Sequence, residues 1–65
     1  MQTITYKKGL RIELENNCVL EVHKYKYRYY ASVLDKTKLT IEHSKDYNTL
    51  KGLNNFLKKY DVELV

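Results

Sequence analysis

The period of the apolar residues changes once along this chain, near Asp46, and that change limits the fold more than any other feature. Before it, apolar side chains recur at every second position, as at Leu10, Ile12 and Leu14, which is typical of strands with one buried face. After it, leucine and aromatic residues recur at spacings of three and four, which is typical of an amphipathic helix. We therefore expect an α+β fold in which an antiparallel sheet of four to five strands packs on one C-terminal helix as a single pair of layers.

Turn-forming residues divide the alternating part into five predicted strands. Three polar segments interrupt the apolar pattern, and their asparagine and glycine accept the positive φ of tight turns: Lys8-Gly9, Asn16-Asn17 and Asp35-Lys36-Thr37-Lys38. The apolar residues shift from even to odd positions between Val22 and Tyr27, so a bulge or a tight turn is needed near residues 24–26. Strands are predicted over about residues 2–7, 10–15, 18–24, 27–34 and 39–43, the first three of them as a meander.

The helix is predicted over about residues 48–60. Its apolar face would contain Leu50, Leu53, Phe56, Leu57 and Tyr60. Asn48 or Thr49 suits the N-cap, where a side-chain oxygen accepts a hydrogen bond from the first turn. Gly52 costs roughly 1 kcal/mol against alanine inside a helix, and we expect it to let the first turn lie close to the sheet. Residues 61–65 are predicted either as a frayed end or as a short edge strand.

Composition indicates one small domain, residues 1–65, in a reducing compartment. The hydrophobic fraction of 43% and the aromatic fraction of 12% exclude a disordered chain, and the single cysteine, Cys18, excludes an internal disulfide framework. The start of the sequence has no apolar run of signal-peptide length, and no segment approaches transmembrane length, so we expect a cytoplasmic protein without a membrane partner. A two-layer domain of this size is marginally stable alone, and a homodimer would be an ordinary remedy.

The side chains that could carry catalysis are few and dispersed. Cys18 and His23 have opposite parity within one predicted strand, so they should face opposite sides of the sheet. His43 shares the parity of Leu39 and Ile41, and we expect it to be a structural histidine at the margin of the sheet. Three candidate ligands fall short of the four that structural zinc sites use, and the two glycines lie too far apart in sequence for a phosphate loop. The sequence predicts no enzyme, no metal and no cofactor.

The positive charge is concentrated in one segment. Residues 1–22 are neutral overall, so the whole net charge of +4 belongs to residues 23–65, and it is densest where cations alternate with tyrosines, in Lys24-Tyr25-Lys26-Tyr27-Arg28. Cations can neutralise phosphates with release of counterions, and exposed tyrosines can stack on bases.

Parity limits which of these residues face outward. If the face that carries Tyr27, Ala31 and Val33 packs on the helix, then Lys26, Arg28, Tyr30 and Ser32 form the outward set. The residues predicted to bind a protein or a nucleic acid are Lys24, Tyr25, Lys26, Arg28, Tyr30, Lys36 and Lys38. The glutamates expected on the same outer face would repel phosphate: Glu13, Glu15 and Glu21.

The second half of the chain resembles a family of DNA-binding domains. Two strands joined by a polar turn precede a helix that opens with Tyr47-Asn48-Thr49 and continues with a leucine stripe. This layout is similar to the arm-binding domains of phage and transposon integrases and to the wider AP2-like family, in which a basic three-stranded sheet enters the major groove. The resemblance implies that the DNA-facing residues are Lys26, Arg28, Tyr30, Lys36 and Lys38. The order of strands followed by a helix is also similar to the single-stranded-DNA-binding transcriptional coactivators, although the tryptophan usual in their helix region is missing.

A different function is suggested by size and composition. Lys, Asn, Tyr and Ile, which have A+T-rich codons, make up 25 of the 65 residues, which favours an A+T-rich phage or mobile element as the source. Small phage proteins commonly block a host protein, as the anti-CRISPR proteins do. Seven tyrosines suit a protein interface, because tyrosine supplies a large contact area with few rotatable bonds. The leading hypothesis is therefore an inhibitor of a host protein such as a defence nuclease, and the alternative is a DNA- or RNA-binding module.

Overall fold

The computed structural model describes all 65 residues, which form six strands and one α-helix. The helix, α1, spans Leu50–Leu57 and continues as a 3₁₀ turn over Lys58–Tyr60. The strands are β1 (Gln2–Ile4), β2 (Leu10–Glu13), β3 (Cys18–Tyr25), β4 (Arg28–Asp35), β5 (Thr40–Tyr47) and β6 (Val62–Leu64). Strands β2 to β5 form an antiparallel sheet in sequential order, and α1 packs on one of its faces, which confirms the predicted α+β architecture.

The predicted meander of the first three strands is wrong at β1. This strand pairs in parallel with β6 in a separate two-stranded sheet, with Thr3 opposite Glu63. The amide of Gln2 donates to the carbonyl of Asp61 at 2.9 Å, and the amide of Val65 donates to the carbonyl of Ile4 at 2.9 Å. The alternation of residues 2–7 indicates an extended segment but carries no information about its partner, which lies at the other end of the chain. The last residues are therefore a strand and not a frayed end.

A two-residue hairpin loop explains the change of apolar parity. Val22 pairs with Ala31 and Tyr25 pairs with Arg28, so the loop between β3 and β4 consists of Lys26 and Tyr27. With a loop of two residues, an even-numbered residue of β3 pairs with an odd-numbered residue of β4, as Val22 does with Ala31. The apolar face therefore moves from even to odd positions without a bulge. Tyr27 was expected to face the helix, but it lies in the loop and is 85% exposed.

A bulge in β5 overturns a second expectation about facing. Val33 pairs with His43 and Leu34 pairs with Ile41, which leaves Glu42 as the extra residue. His43 and Ile41 therefore face opposite sides of the sheet, although their parity is the same. Leu39, which was expected to share their face, lies in the β4–β5 turn with a φ of 56°.

The core lies between the sheet and α1. Its fully or nearly fully buried members are Leu10, Ile12, Leu20, Val22, Ala31 and Val33 from the sheet, Leu53 and Leu57 from α1, and Val62 and Leu64 from β6. Strand β6 is fastened to α1 by Asn54, whose amide nitrogen donates to the carbonyl of Leu64 at 3.0 Å and whose oxygen accepts from the amide of Leu64 at 2.8 Å.

The start of α1 lies close against the end of β5. The hydroxyl of Thr49 accepts a hydrogen bond from the amide of Gly52 at 3.0 Å, which makes Thr49 the N-cap. A Cβ atom on Gly52 would lie 3.2 Å from that hydroxyl and 3.8 Å from the ring of Tyr47. The tight contact is therefore with the N-cap hydroxyl, whereas the distance to Tyr47 on the sheet is an ordinary van der Waals distance, so glycine leaves room for the cap and not for the close approach to the sheet that was expected.

Candidate functional site

The β3–β4 hairpin ends in five exposed residues, Lys24-Tyr25-Lys26-Tyr27-Arg28, which we call the basic tip. Tyr25 is 60% exposed, and Tyr27 is more exposed still. The ends of the tip are held from both sides. The amide of Lys24 donates to the hydroxyl of Tyr6 at 3.0 Å, and Nε of Arg28 donates to Oδ1 of Asn48 at 3.3 Å.

Three further lysines flank the basic tip. Lys7 and Lys8 belong to the turn before β2, and this turn lies beside the end of β3 because Leu10 pairs with Val22. Lys45 lies on β5, with its ammonium group 5.6 Å from the centroid of the Tyr47 ring. We call these three lysines and the three cations of the tip the six tip cations.

None of the six tip cations forms an ion pair, whereas Arg11 and Lys36, outside this group, both do. The neighbouring carboxylate is Asp46, which lies on the outer face of β5 opposite Tyr30. The electrostatic potential at this end of the protein is therefore positive, because most of these positive charges have no carboxylate partner.

Carboxylates collect at the opposite end of the sheet. A cleft of about 650 Å³ opens there between the end of β2, the bulge of β5 and the 3₁₀ turn after α1. Its lining includes Glu13, Glu15, Glu42 and Asp61. Glu13 accepts a hydrogen bond from Lys36 at 2.8 Å, and this bond holds the pKa of that carboxyl below its ordinary value. Lys59 also lines the cleft, so this end of the protein carries charges of both signs, whereas the basic tip carries positive charges only.

The structure does not bring all the predicted site residues together. Lys24, Tyr25, Lys26 and Arg28 meet at the basic tip, but Lys36 and Lys38 lie in the turn at the other end of β4. The seven steps from Arg28 to Asp35, at roughly 3.3 Å each, put about 23 Å between the two groups.

Tyr30 lies on the outer face of the sheet between the two ends of β4. Its hydroxyl is hydrogen-bonded to the hydroxyl of Ser44, and its ring lies 6.2 Å from that of His23, centroid to centroid. The side chain is half-buried, which leaves less of its ring open to a base than at Tyr25 or Tyr27.

The glutamates expected on the outer face are largely neutralised there. Glu21 pairs with Nε of Arg11 at 3.4 Å and with Nε2 of His23 at 3.6 Å. Glu13 pairs with Lys36, and Glu15 lies in a short 3₁₀ turn and not on the sheet. The repulsion of phosphate expected from these residues is therefore weak at the basic tip.

Sequence reasoning missed Tyr27, Asn48 and the three flanking lysines. The signal for Tyr27 was present, because a two-residue loop at Lys26-Tyr27 is the simplest way to shift the apolar parity between Val22 and Ala31. Lys45 and Asn48 had no such signal, since their position depends on which strand pairs with β4.

His43 joins β5 to α1 through an aromatic cluster. Its Nε2 is 2.9 Å from the hydroxyl of Tyr47, and its ring stacks on Phe56 with centroids 3.9 Å apart. Burial, together with the nearby Lys59 and Lys45, lowers the pKa of His43, while burial raises the pKa of Tyr47. His43 is therefore a neutral structural residue at neutral pH.

The remaining reactive side chains stay apart. Cys18 packs against the core side of the sheet, whereas His23 lies on the outer face beside Tyr30, so their opposite parity has the expected effect. No three His, Cys, Asp or Glu side chains lie close enough together to hold a metal ion. None of the helical segments has the length and apolar character needed to cross a membrane. No protein-family model, curated protein or solved structure matches this chain.

Proposed function

We propose that this chain is a non-enzymatic binding protein that engages nucleic acid through the basic tip. The observation that supports this most directly is that the six tip cations, none of which forms an ion pair, lie at the end of the sheet that carries two exposed tyrosines. Phosphate contacts release condensed counterions, and this release supplies most of the affinity of sequence-independent binding. Carboxylates near the site would oppose it, and four of the eight carboxylate side chains line the cleft at the far end of the sheet.

The test is a titration of labelled single- and double-stranded oligonucleotides, followed by fluorescence anisotropy, from about 50 to about 200 mM salt. We expect binding, with a logarithm of the association constant that falls linearly with the logarithm of the salt concentration. Charge reversal at the tip, with Lys26→Glu and Arg28→Glu together, should abolish it. Binding no tighter than the high-micromolar background of any basic domain, and unaffected by that reversal, would contradict the proposal.

A second candidate function is inhibition of a host protein by a phage- or mobile-element-derived chain, in the manner of anti-CRISPR proteins. Three apolar side chains near the β4–β5 turn favour it: Leu39 in the turn is 80% exposed, Ile41 is 66% exposed, and Leu34 is the cross-strand partner of Ile41. Exposed apolar side chains grouped in this way are typical of protein interfaces. Under this function, the variant Leu39→Ser/Ile41→Ser should lose the host partner while the variant Lys26→Gln/Arg28→Gln retains it.

A further inference from the structure

The seven tyrosines of this chain divide into two groups by their surroundings. Five have a partner within the fold. The hydroxyls of Tyr6, Tyr30 and Tyr47 are hydrogen-bonded, and the rings of Tyr29 and Tyr60 pack against the core. Tyr25 and Tyr27 have neither a hydrogen-bonded hydroxyl nor a ring partner, and both lie in the basic tip.

The rings of Tyr25 and Tyr27 therefore contribute little to the stability of the fold. Core tyrosines bury much of their area, but these two side chains leave most of theirs in water. Arg28 is the cross-strand partner of Tyr25, so these two side chains share a face, and Lys26 adjoins both tyrosines along the chain. Lys24 lies on the other face, opposite Tyr29, with its ammonium group 5.8 Å from the centroid of that ring. An aromatic face beside a cation can take both parts of a nucleotide, since the ring stacks on the base while the cation contacts the phosphate.

Base accessibility decides which nucleic acid fits this arrangement. In a duplex, the base faces are stacked on one another, and a ring can reach them only by unstacking a step at a cost of a few kcal/mol. In a single strand, the faces are open to an aromatic side chain. From this placement, and resting on the proposed function, we infer that the basic tip binds single-stranded nucleic acid, with bases stacked on Tyr25 and Tyr27 and phosphates on Lys26 and Arg28.

The test separates the bases from the phosphates. Three labelled DNA ligands with the same number of phosphates per strand are compared by anisotropy: a base-containing single strand, an abasic single strand and a blunt duplex. An RNA of the same sequence as the single strand is the fourth ligand. We expect the base-containing single strand to bind about tenfold or more tightly than the abasic strand, with a similar salt slope, and also more tightly than the duplex.

Two matched variants assign that difference to the rings. Tyr25→Leu/Tyr27→Leu should reduce affinity for the base-containing strand by about tenfold or more and leave the abasic strand unaffected. Tyr25→Phe/Tyr27→Phe keeps the aromatic rings and should therefore retain the wild-type affinity. Both positions are exposed, so neither variant should disturb the fold, and unchanged thermal melting would verify this.

The outcomes distinguish this inference from the proposed function. Equal binding of abasic and base-containing strands, with a steep salt slope, would overturn the inference and leave the proposed function standing. Binding of none of the four ligands would overturn the proposed function itself. Loss of affinity for DNA and RNA alike in the leucine variant supports stacking on any base, and loss for one of them supports stacking and identifies that polymer as the ligand.

Discussion

Replacement of Lys26 and Arg28 by glutamine should weaken nucleic-acid binding and flatten its salt dependence, whereas the same replacement of Lys36 and Lys38 should do neither. Each double variant removes two positive charges from the net charge of +4, so the two variants have the same net charge. The two pairs differ in position, because Lys26 and Arg28 belong to the basic tip and the other pair lies at the far end of β4.

The magnitude follows from the number of tip cations. If all six contact phosphates of a single strand, the slope of log affinity against log salt is about −4, since each contact contributes roughly −0.7. A rise from about 50 to about 200 mM salt then weakens the wild type about 300-fold. With two contacts removed, the slope is about −3, and the same rise weakens the variant about 50-fold.

Anisotropy titrations at four or five salt concentrations measure both slopes directly. The Lys36→Gln/Lys38→Gln variant serves as the control, and it should reproduce the wild-type slope. It loses the ion pair with Glu13, but a solvent-exposed ion pair contributes little to stability, so the fold should persist. Equal loss of slope in both variants would refute the assignment of binding to the tip, because it would show a response to net charge alone.

Three further predictions concern the scaffold. Asn54→Ala should lower the free energy of unfolding by about 2–3 kcal/mol in urea titrations, because both hydrogen bonds to Leu64 are lost and its backbone groups are left without those partners. Thr49→Ala should cost about 1 kcal/mol in the same assay through loss of the N-cap. His43 has a pKa below 6.5 in the fold, so the unfolded chain takes up that proton first as the pH falls. The stability contributed by neutral His43 is complete above pH 6.5 and is lost as the pH falls through the folded pKa. The variant His43→Gln should therefore show a flatter dependence of the melting temperature on pH below about 6.5.

Each of these predictions has a matched control variant. Asn55→Ala changes the exposed neighbour of Asn54 on α1 and should alter stability by no more than about 0.5 kcal/mol. Lys51→Ala changes an exposed residue near the N-cap Thr49, and it should alter stability as little as Asn55→Ala does. His23→Gln removes the other histidine and should leave the pH response of His43 in place. An Asn54→Ala variant as stable as Asn55→Ala would show that β6 is not held by those hydrogen bonds.

Local periodicity was enough to predict the sheet and the helix. A strand buries every second residue, and a helix buries residues three or four apart. The alternation over Leu10–Glu13 shows the first spacing, and the apolar residues around Leu53 show the second. The glycine inside the helix indicated a close neighbour but not which one, because the tight contact at Gly52 is with the hydroxyl of the N-cap Thr49 and not with the sheet.

Pairing between distant segments could not be predicted in the same way. The partner of β1 lies about 60 residues away along the chain, and no residue in either strand specifies the other. The bulge at Glu42 reversed the facing of Ile41 relative to His43, because a single extra residue inverts a period-two pattern. The separation of Lys36 and Lys38 from the basic tip, by contrast, was already implied by the predicted strand over residues 27–34, because the two ends of a strand of that length lie far apart.

The central claim is that nucleic acid binds at the basic tip, and chemical-shift mapping tests it most directly. A ¹⁵N-labelled sample of this 65-residue chain would be titrated with an unlabelled single-stranded oligonucleotide and followed by two-dimensional amide spectra. The account predicts that the largest shifts fall in Lys24 to Arg28, with smaller ones at Lys7, Lys8 and Lys45. Shifts concentrated instead around Leu39 and Ile41 at the far end of the sheet, or no shifts at all, would contradict it.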